Sequence, residues 1–481
     1  MLDRQVEVPE GVPLPRAIQS APRTGRVKLF NWKRSIEYHA NSVEKVSSIE
    51  EIQRIVTDTA RYPSPVRVRG SHHSTTRCVV AEGGTVIDVT RLNRILKIDK
   101  AAKTITMQAG VLHIDAAKAL EKEGLQFFVN VEIGNLTVGS GSCCGTKDAS
   151  YYDDGRWEFG QVCSYCIGMK LVQPDGSIRE VTEESDPDLM AALRTSYGML
   201  GIVVEVTFRV KEISAMTVSH RSFHVDEFVE KLDALIDEKR SIMLYLFPFQ
   251  DRVVVETRYD NPTEKVSPGS WQWKVRNYVW KTLWPGLAMA LGYVPFRSLR
   301  YGLVDVISRI TLPTLVGIVK DRNSSPADQV IRYTETAGFA SYTFSIWAFP
   351  RETYGQAIKD YYAFCKEYYR LNGYRTDLVN VGYHIAQDRS ALFSYTRRWS
   401  ALTLDPVATG LPGWEGFLVA YNQFCSNHGA APLFNQTPLL EPYQVQKAFP
   451  QEIETFQAAR RRIDPEDRFY TPYFRNLFEA S

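Results

Sequence analysis

The sequence lacks a strong charge imbalance, a long apolar run and an apolar leader. Its 57 Lys and Arg residues nearly balance its 55 Asp and Glu residues, which leaves a net charge of +2. This balance gives no electrostatic reason to expect nucleic acid as a partner. The most apolar stretch, residues 282–296, is shorter than the roughly 18 residues that a membrane-spanning helix needs, and it contains prolines and glycines. Because the first residues also lack the apolar core of a signal peptide, we expect an intracellular, cytoplasmic protein.

The cysteines do not form the pattern of a disulfide framework or of a metal site. There are seven of them, an odd number, in irregular positions. The pairs Cys143-Cys144 and Cys163-x-x-Cys166 are reminiscent of redox or metal motifs, but no His-x-His or second Cys-x-x-Cys accompanies them. We therefore predict reduced thiols and no metal site.

The 481 residues are enough for two domains, and strands alternate with helical stretches in the first half. Apolar residues at helical spacing predict a helix over residues 48–56, and strand-like runs occur at 66–68 and 85–89. We divide the chain into an N-terminal arm (1–36), a first domain (37–213), a second domain (214–430) with an aromatic-rich segment (268–320), and a C-terminal segment (431–481) that returns to the first domain.

Four signals follow one another in the first domain. They are Gly70-Ser71-His72-His73-Ser74, the stretch 90–96 (TRLNRIL), the small-residue run 136–146 (LTVGSGSCCGT) and the stretch 197–203 (YGMLGIV). Glycine-bearing loops let backbone N–H groups approach a pyrophosphate or a flat ring, yet these loops have neither the Gly-x-Gly-x-x-Gly spacing nor the Lys-Ser/Thr of a P-loop. Taken alone, the first signal is equally a polar turn with two incidental histidines.

The ordered set of signals resembles the vanillyl-alcohol-oxidase family of flavoproteins, and within it the aldonolactone and alditol oxidase branch. The resemblance extends over residues 30–212, the strand-like stretch 246–255 and the C-terminal stretch 463–469. It implies an α+β chain with a two-part FAD-binding domain of the PCMH type and an α+β cap domain that contains an antiparallel sheet. The cofactor-binding residues that it implies are Gly70, Ser71, His72, His73, Ser74, Thr137, Val138, Gly139, Ser142, Gly145, Thr146, Gly201, Ile202 and Val203.

In the family, the first loop usually reads Gly-x-Gly-His-Ser, and its histidine is bonded covalently to the flavin. The resemblance thus implies FAD attached through His73, with His72 at a position where glycine is usual. The side chain of His72 must then be accommodated beside the cofactor. Some relatives carry a second, cysteinyl link at the position that Asn135 occupies here, so we expect no double attachment.

The substrate side departs from the lactone oxidases. The Glu-x-Arg pair of their cap strand corresponds to Gly382 and His384, and the lysine near their C-terminus corresponds to Gln436. We therefore predict a substrate other than an aldonolactone and name His384, Tyr383 and Gln436 as candidate catalytic residues. The alternative for His384 is a structural histidine with its polar atoms satisfied.

Three further features each have two interpretations. Lys147, where the branch has histidine, lies near the flavin or faces water. Arg397, Arg398 and Tyr395 bind an anionic or polar substrate, or the arginines form surface salt bridges. The segment 268–320 lines an apolar pocket in the cap, or it contacts a membrane surface peripherally through its tryptophans and basic residues.

The predicted function is an FAD-dependent oxidation in which a hydride passes from an alcohol-type carbon of a small molecule to the flavin. Oxygen or a quinone-type carrier then accepts the electrons, which makes the protein an oxidase or a dehydrogenase. One alternative is an oxidative tailoring enzyme of secondary metabolism that acts on a non-sugar substrate. Another is a membrane-associated flavin-binding protein without catalysis.

Overall fold

The computed structural model describes residues 26–261, 263–320 and 323–480. The first half of the chain forms a small parallel sheet and a larger antiparallel one, and the second half forms a seven-stranded sheet. The mixture of helices and sheets, including a large antiparallel sheet in the second half, confirms the predicted α+β class.

The elements of the first half follow the predicted alternation of strands and helices. Its strands are β1 (Val27–Phe30), β2 (Glu37–Ala40), β3 (Ser42–Lys45), β4 (Val66–Arg69), β5 (Thr85–Asp88), β6 (Ile95–Asp99), β7 (Thr104–Gln108), β8 (Leu125–Phe127), β9 (Tyr152–Asp153), β10 (Arg156–Trp157), β11 (Cys166–Val172), β12 (Ile178–Thr182) and β13 (Ile202–Glu212). Its helices are α1 (Ile49–Thr57), α2 (His113–Lys122), α3 (Val138–Cys143) and α4 (Pro187–Leu193).

Helix α1 shows why the local sequence was informative. The Ser48 hydroxyl accepts a hydrogen bond from the Glu51 amide over 3.3 Å and so caps the helix, while Ile52, Ile55 and Val56 are buried on one face. Strands β3 and β4 both pair with β5 in parallel, so β5 lies between them, and α1 forms the crossover from β3 to β4. The larger sheet has the order β12-β11-β13-β7-β6, and β8 pairs with the end of β13.

The second half is built on one antiparallel sheet of order β14-β16-β15-β19-β20-β18-β22. Its strands are β14 (Ala215–His224), β15 (Ser241–Phe247), β16 (Arg252–Asn261), β17 (Thr343–Phe344), β18 (Trp347–Pro350), β19 (Asn380–Ile385), β20 (Ala401–Leu404), β21 (Val407–Ala408) and β22 (Ala431–Pro432). Its helices are α5 (Val225–Asp237), α6 (Trp271–Tyr278), α7 (Trp284–Leu291), α8 (Arg297–Val319), α9 (Arg351–Asn372), α10 (Trp414–Asn427), α11 (Pro442–Ala448), α12 (Pro450–Ile463) and α13 (Pro472–Glu479). Every residue of β15 is buried, as in a central strand that is covered on both faces.

The C-terminal residues pack onto the parallel sheet of the first half. The Arg468 guanidinium donates to the carbonyls of Ile55 and Val56 over 2.8 and 2.9 Å, and the Val66 amide donates to the Arg468 carbonyl over 2.8 Å. Phe469 is fully buried in the same small core as α1. Buried, charge-assisted hydrogen bonds therefore hold the segment around Arg468 to helix α1 and strand β4.

The predicted N-terminal arm requires a correction. Residues 1–25 lie outside the described residues, but β1 (Val27–Phe30) pairs with β2 as an antiparallel hairpin. Leu29, Tyr38 and Ala40 bury their side chains in a core that this hairpin shares with β5. The end of the predicted arm is thus an integral part of the first half, next to the loop at residues 70–74.

Candidate active site

The loop at residues 70–74 leaves strand β4 and packs on the loop at residues 135–137. A methyl group added at Gly70 would lie 2.5 Å from the Thr137 hydroxyl oxygen and 2.9 Å from its methyl carbon. The Ser71 hydroxyl donates to the Asn135 carbonyl over 2.6 Å. Glycine is therefore the residue that fits at position 70, and two of the predicted cofactor loops are in direct contact there.

The side chain of His72, at a position where the family usually has glycine, points away from these loops. Its φ is +57°, in the left-handed region that glycine tolerates best. Its Nδ1 lies 2.9 Å from the Phe30 carbonyl oxygen and its Nε2 lies 3.2 Å from the Tyr38 hydroxyl. Both ring nitrogens thus have partners in the N-terminal hairpin, which accommodates the side chain at this position.

His73, in contrast, has a free ring nitrogen. Its ring stacks on Trp32 with a centroid distance of 4.9 Å and an interplanar angle of 25°, and it meets the edge of Tyr333 at 6.0 Å. Its Nε2 is buried without a hydrogen-bond partner. Burial, with a smaller effect of His72, lowers the pKa of His73 to about 4, so the imidazole is neutral at physiological pH.

Asn135, at the position where some relatives have a cysteinyl flavin link, forms hydrogen bonds that hold a neighbouring segment. The Asn135 amide donates to the Tyr333 carbonyl over 3.1 Å and its carbonyl oxygen accepts from the Tyr333 amide over 2.7 Å. This pair of hydrogen bonds holds Tyr333 against the His73 ring. Asn135 therefore has no atom suited to a covalent link, but it positions a neighbour of the attachment residue.

The third and fourth signals form a narrow cavity of about 50 Å³ with the parallel sheet. A methyl group added at Gly139 would lie 2.7 Å from the Ala109 side chain, and Gly201 has a φ of +146°. Of the predicted cofactor residues, Thr137, Gly139, Gly201 and Val203 line this cavity. Its other lining residues are Arg67, Val68, Val79, Val89, Ala109, Ser140, Cys143, Cys144, Tyr197 and Gly198.

The remaining predicted cofactor residues lie around this cavity in different roles. The Ser74 carbonyl accepts from the Asn31 amide over 3.1 Å, and the Ser142 hydroxyl donates to the Gly139 carbonyl over 2.8 Å. Val138 is the first residue of α3, and Gly145 approaches Leu433. Ile202 is buried in the core beside α1 instead of lining the cavity, and Thr146 lines the substrate cavity that is described below.

Arg67 is the cavity residue that sequence reasoning missed. It is a buried residue on strand β4, and it donates to four backbone carbonyls, those of Cys78, Tyr197, Gly198 and Phe469. These carbonyls belong to three separate segments that meet at the cavity. The alternation of residues 66–69 (VRVR) is typical of an ordinary surface strand, so the residue pattern does not predict that this arginine points inward.

These features fit an FAD molecule in the first half of the chain. A neutral histidine presents a free nitrogen, and glycines at positions 70 and 139 lie where side chains would collide with the neighbouring loops. A cavity lies between the third and fourth signals and strand β4. Such a combination of a nucleophilic nitrogen and exposed backbone is what a covalently held dinucleotide requires.

A second cavity, of about 120 Å³, lies between the seven-stranded sheet, helices α6 and α7, and the end of the third loop; we call it the substrate cavity. One part of its wall is apolar and the other is charged. The apolar and aromatic lining residues are Val131, Ile133, Trp280, Trp284, Pro285, Tyr342, Phe344, Ile346, Leu378, Val379, Val381, Tyr383, Val407 and Leu433. The charged and polar ones are Glu132, Thr146, Lys147, Asp148, Arg258, Arg276, Gln329, Asp405 and Gln436.

The cavity brings together two of the three predicted catalytic residues. Tyr383 and Gln436 both line it, and Gln436 also lies 3.4 Å from the Thr75 hydroxyl beside the first loop. His384 follows Tyr383 on β19 and points to the opposite face, where its ring meets the edge of Trp157 at 4.6 Å. Burial lowers the pKa of His384 to about 3. The correction is a shift of one residue, which places Val381 and Tyr383, not Gly382 and His384, on the cavity face.

Lys147 lies in the cavity wall and does not face water. Its Nζ donates to Asp405 Oδ2 over 2.7 Å and lies 3.6 Å from the centroid of the Tyr383 ring. Both charged side chains are less than 5% exposed. Burial lowers the pKa of Lys147 and raises the pKa of Asp405, and each charge partly opposes the shift of the other. The second carboxylate oxygen, Asp405 Oδ1, is buried without a partner.

Arg258 and its hydrogen-bond partners form a second group of buried charges in the wall of the substrate cavity. The Arg258 guanidinium donates to Glu256 over 2.6 Å, to Asp148 over 3.1 Å and to Gln329 over 2.9 Å. Glu256 also accepts from the Tyr245 hydroxyl over 2.7 Å. Because these partners satisfy Arg258 from several sides, the group fixes the cavity wall, whereas Asp405 retains a free acceptor.

A tyrosine pair connects the histidine site to the substrate cavity. The hydroxyls of Tyr333 and Tyr342 lie 2.6 Å apart, and both lie within hydrogen-bond distance of Glu132 Oε1, at 3.1 and 3.2 Å. Tyr333 packs on His73, and Tyr342 and Glu132 line the cavity. Packed side chains therefore connect the predicted flavin attachment residue to the wall of the substrate cavity.

Comparison with known proteins agrees with this geometry. Residues 40–182 match the family described as FAD binding domain. The chain is 22% identical to the L-gulonolactone oxidase of Mus musculus over 456 residues, which covers 94% of this chain and 98% of that protein.

Two solved structures share the fold over most of the chain. One is cholesterol oxidase from B. sterolicum, with a TM-score of 0.72, 15% identity and coverage of 97% of this chain and 100% of that one. The other is glucooligosaccharide oxidase from Acremonium strictum, whose FAD is described as 6-S-cysteinyl and 8α-N1-histidyl. It has a TM-score of 0.63, 17% identity and coverage of 91% of this chain and 92% of that one.

The matched domain, the full-length relatives and the residues at the cofactor loops lead to one conclusion. Residues 40–182 form an FAD-binding domain of the PCMH type, and over most of its length the chain is similar to FAD-dependent oxidases and dehydrogenases.

Proposed function

We propose that this flavoprotein holds its FAD covalently through His73 and oxidises an alcohol-bearing carbon of a small, largely apolar molecule. The observation that carries the proposal is the free Nε2 of a neutral, buried His73, whose ring packs on Tyr333, a neighbour of the cavity residue Tyr342. When bound, FAD supplies the acceptor for the hydride. The residues of the chain must then hold the alcohol, take up the hydroxyl proton and exclude water.

Asp405 is the proposed proton acceptor. Its Oδ1 has no hydrogen-bond partner, and the residue lines the substrate cavity. The hydroxyl proton passes to Asp405 as the C–H bond gives up its hydride, so that the alcohol becomes a carbonyl and two electrons leave with the hydride. Burial favours the protonated carboxyl that results from this transfer, because it raises the pKa of Asp405.

Lys147 and Tyr383 act as positioning residues in this proposal. Lys147 holds Oδ2 of Asp405 and leaves Oδ1 free, while the Tyr383 ring lies over the ammonium group. Gln436 lines the same cavity and lies close to Thr75, so its amide can orient the substrate hydroxyl near the first loop. His384 is not part of the proposed machinery, because its ring packs on Trp157.

The wall of the cavity favours an apolar substrate over a sugar lactone. Trp280, Trp284 and Pro285 from the region of α6 and α7 face Val379 and Val381 from the sheet. Any hydroxyl of a polyhydroxylated lactone that faces this apolar part of the wall would lack a partner, at a cost of about 1–3 kcal/mol each. We therefore propose that this chain does not oxidise the substrate named for the L-gulonolactone oxidases. A sterol or another apolar alcohol is the proposed substrate instead.

The test is anaerobic bleaching of the flavin in the purified protein. A panel of apolar alcohols, including sterols and long-chain alcohols, is compared with L-gulono-1,4-lactone and with oligosaccharides. We expect an apolar alcohol to bleach the flavin, and we expect Asp405→Asn to slow this reduction about 10²–10⁴-fold without loss of bound flavin. The matched control is Lys231→Met, which alters an exposed lysine on α5. Rapid bleaching by the lactone alone would contradict the assignment of the substrate class.

The electron acceptor is tested in the same preparation. Reoxidation by air with formation of hydrogen peroxide identifies an oxidase, and reoxidation by a soluble quinone analogue only identifies a dehydrogenase. If the bleached product is a cyclised molecule and not a carbonyl compound, the alternative of an oxidative tailoring enzyme is correct. If no organic compound bleaches a bound flavin, the non-catalytic alternative is favoured.

We further propose peripheral contact with a membrane through helices α6–α8. No helix in the described part of the chain is long and apolar enough to cross a bilayer. Eleven of the eighteen exposed large apolar side chains among the described residues nevertheless lie on these helices and their connections, and Lys274, Arg297 and Arg309 are exposed beside them. These eleven are Trp271, Val275, Tyr278, Leu283, Leu287, Tyr293, Phe296, Leu299, Leu303, Val306 and Ile310.

This surface and the substrate cavity share the same helices, since Trp280, Trp284 and Pro285 line the cavity from within. An apolar substrate dissolved in a bilayer would therefore have a short path to the cavity. The test is sedimentation with vesicles that contain anionic lipid. We expect the double substitution Tyr293→Ser and Phe296→Ser to reduce binding, and Leu371→Ser, an exposed apolar position at the end of α9, to leave it unchanged.

A further inference from the structure

A third cavity, of about 210 Å³, shares no lining residue with the substrate cavity. It lies between the segment that follows β19, the turn after α10 and the helices α11 and α12. The residues that line it are Ser394, Tyr395, Arg397, Arg398, Trp399, Ser426, Gly429, Ala430, Ala431, Gln444, Lys447, Ala448, Phe449 and Glu452. The three residues that the sequence suggested for an anionic substrate, at positions 395, 397 and 398, are thus in this cavity and not in the substrate cavity.

The charged groups of this cavity do not balance. Arg397, Arg398 and Lys447 face a single carboxylate, that of Glu452, so the wall carries a formal charge of +2. Arg398 pairs with Glu452 at 3.1 Å, and Arg397 approaches the same carboxylate at 3.9 Å. Lys447 donates to the Ser426 carbonyl over 2.6 Å, and no carboxylate among the described residues pairs with it.

Arg397 is held in place before any ligand arrives. Its Nη1 donates to the carbonyls of Arg389 and Ala391, over 2.8 and 3.2 Å. These bonds fix the guanidinium plane and leave other N–H groups for a ligand, because a guanidinium has five donors. A fixed fork of donors beside a second arginine and a lysine is the arrangement that binds carboxylate or phosphate groups.

We propose that this cavity is a binding site for a small anion that carries a phosphate group or two carboxylates. The ligand would accept hydrogen bonds from Arg397, Arg398 and Lys447 and neutralise the excess charge that Glu452 leaves. This site is separate from the proposed oxidation of an alcohol, and its test does not depend on a substrate for that reaction.

The site also lies directly behind the third cofactor loop. A methyl group at Gly145 would lie 3.3 Å from the Tyr395 ring, and the Ser394 hydroxyl accepts from the Gln161 amide over 2.6 Å. The backbones of Gln161 and Lys147 pair as a β-bridge. One lining residue of the anion cavity, Tyr395, therefore lies beside the third loop, and a second, Ser394, contacts Gln161, the bridge partner of Lys147.

The test is isothermal titration of the flavin-loaded protein with inorganic phosphate and, separately, with succinate. Sodium chloride at matched ionic strength controls for general screening of surface charge. We expect saturable binding of at least one of the two anions with a stoichiometry of one. Saturation by phosphate alone identifies a phosphate group as the preferred ligand, and saturation by succinate alone identifies a dicarboxylate.

Substitutions in the wall of this cavity test whether the anion binds there. Lys447→Met and Arg398→Gln are expected to weaken binding about tenfold each, because each removes a charge-assisted hydrogen bond. Glu452→Gln is expected to strengthen binding, since it removes the competing carboxylate. Lys447 is largely exposed, so its variant keeps the test valid even if Glu452→Gln impairs folding. No saturable binding of either anion up to about 10 mM, or equal affinity in wild type and Lys447→Met, would overturn the proposal.

Discussion

The buried pair of Lys147 and Asp405 makes a prediction whose size and direction both follow from the structure. Replacing Lys147 with methionine leaves Asp405 buried, less than 5% exposed, without its cation. Removing one partner of such a pair costs about 3–5 kcal/mol. The carboxyl can escape this cost only by taking up a proton. With a reference pKa of about 3.9, protonation costs about 4 kcal/mol at pH 7 and about 1.5 kcal/mol at pH 5.

The pH dependence has a definite sign. Burial raises the pKa of Asp405 in the folded state, and loss of Lys147 raises it further because the lysine opposes that shift. A carboxyl whose folded pKa is raised stabilises the fold below its unfolded pKa, and this contribution is lost as the pH rises through the folded pKa. The stability lost in Lys147→Met should therefore be larger at pH 7 than at pH 5, by up to about 2.7 kcal/mol.

Replacing Asp405 instead of Lys147 should make the loss of stability depend on pH in the opposite direction. Asp405→Asn leaves the ammonium of Lys147 buried over the Tyr383 ring, and burial lowers the pKa of Lys147. A lysine in this position becomes neutral more readily at high pH, so the stability lost in Asp405→Asn should fall as the pH rises from 7 to 9. The double variant carries no buried charge at this site and should lose less stability at pH 7 than either single variant.

The assay is equilibrium unfolding in urea, followed by circular dichroism at pH 5, 7 and 9, with refolding checked from the unfolded side. Lys231→Met serves as the control, since its partner Glu227 is exposed on α5. The reasoning is refuted if Lys147→Met and Asp405→Asn have the same pH slope, or if the double variant is the least stable of the three.

Two further predictions concern the cofactor loops and the wall of the substrate cavity. Gly70→Ala should lower the flavin content of the purified protein and reduce the free energy of unfolding by about 1–3 kcal/mol, since the new methyl group would lie 2.5 Å from the Thr137 hydroxyl. Adding Thr137→Ala should restore part of the flavin. If it does not, the collision with Thr137 is not the cause of the loss. Arg258→Met should destabilise the protein by about 3–5 kcal/mol in urea titrations, because it leaves Glu256 and Asp148 without their shared cation. A loss below about 1 kcal/mol would show that the other partners of these carboxylates stabilise them without Arg258.

Local patterns predicted the elements that depend on local physics. The cap at Ser48 and the apolar spacing behind it correspond to α1, and the parallel strands on either side of the first loop lie where their apolar runs indicate. The type of domain was predicted from the family resemblance of the four signals taken in order, which include glycine-bearing loops able to approach a cofactor closely. The identity of the cofactor family could therefore be recognised from residues 70–203.

The substrate side was less predictable because a strand alternates its faces. A shift of one residue exchanges Tyr383 for His384, and the sequence alone does not fix this register. The inward direction of Arg67 and the pairing of Lys147 with Asp405 depend on contacts between segments far apart in the chain. Residue spacing carries no information about such contacts, so these groups became visible only in the folded structure.

The most direct test of the central claim is the visible spectrum of the purified protein before and after precipitation with acid, compared between wild type and His73→Ala. The account predicts that the yellow colour stays with the wild-type pellet and moves to the supernatant in the variant. The matched variant His72→Ala should keep the colour in its pellet, since its ring nitrogens contact Phe30 and Tyr38. Colour that leaves the wild-type pellet, or that stays in the pellet of His73→Ala, would contradict a flavin attached through His73.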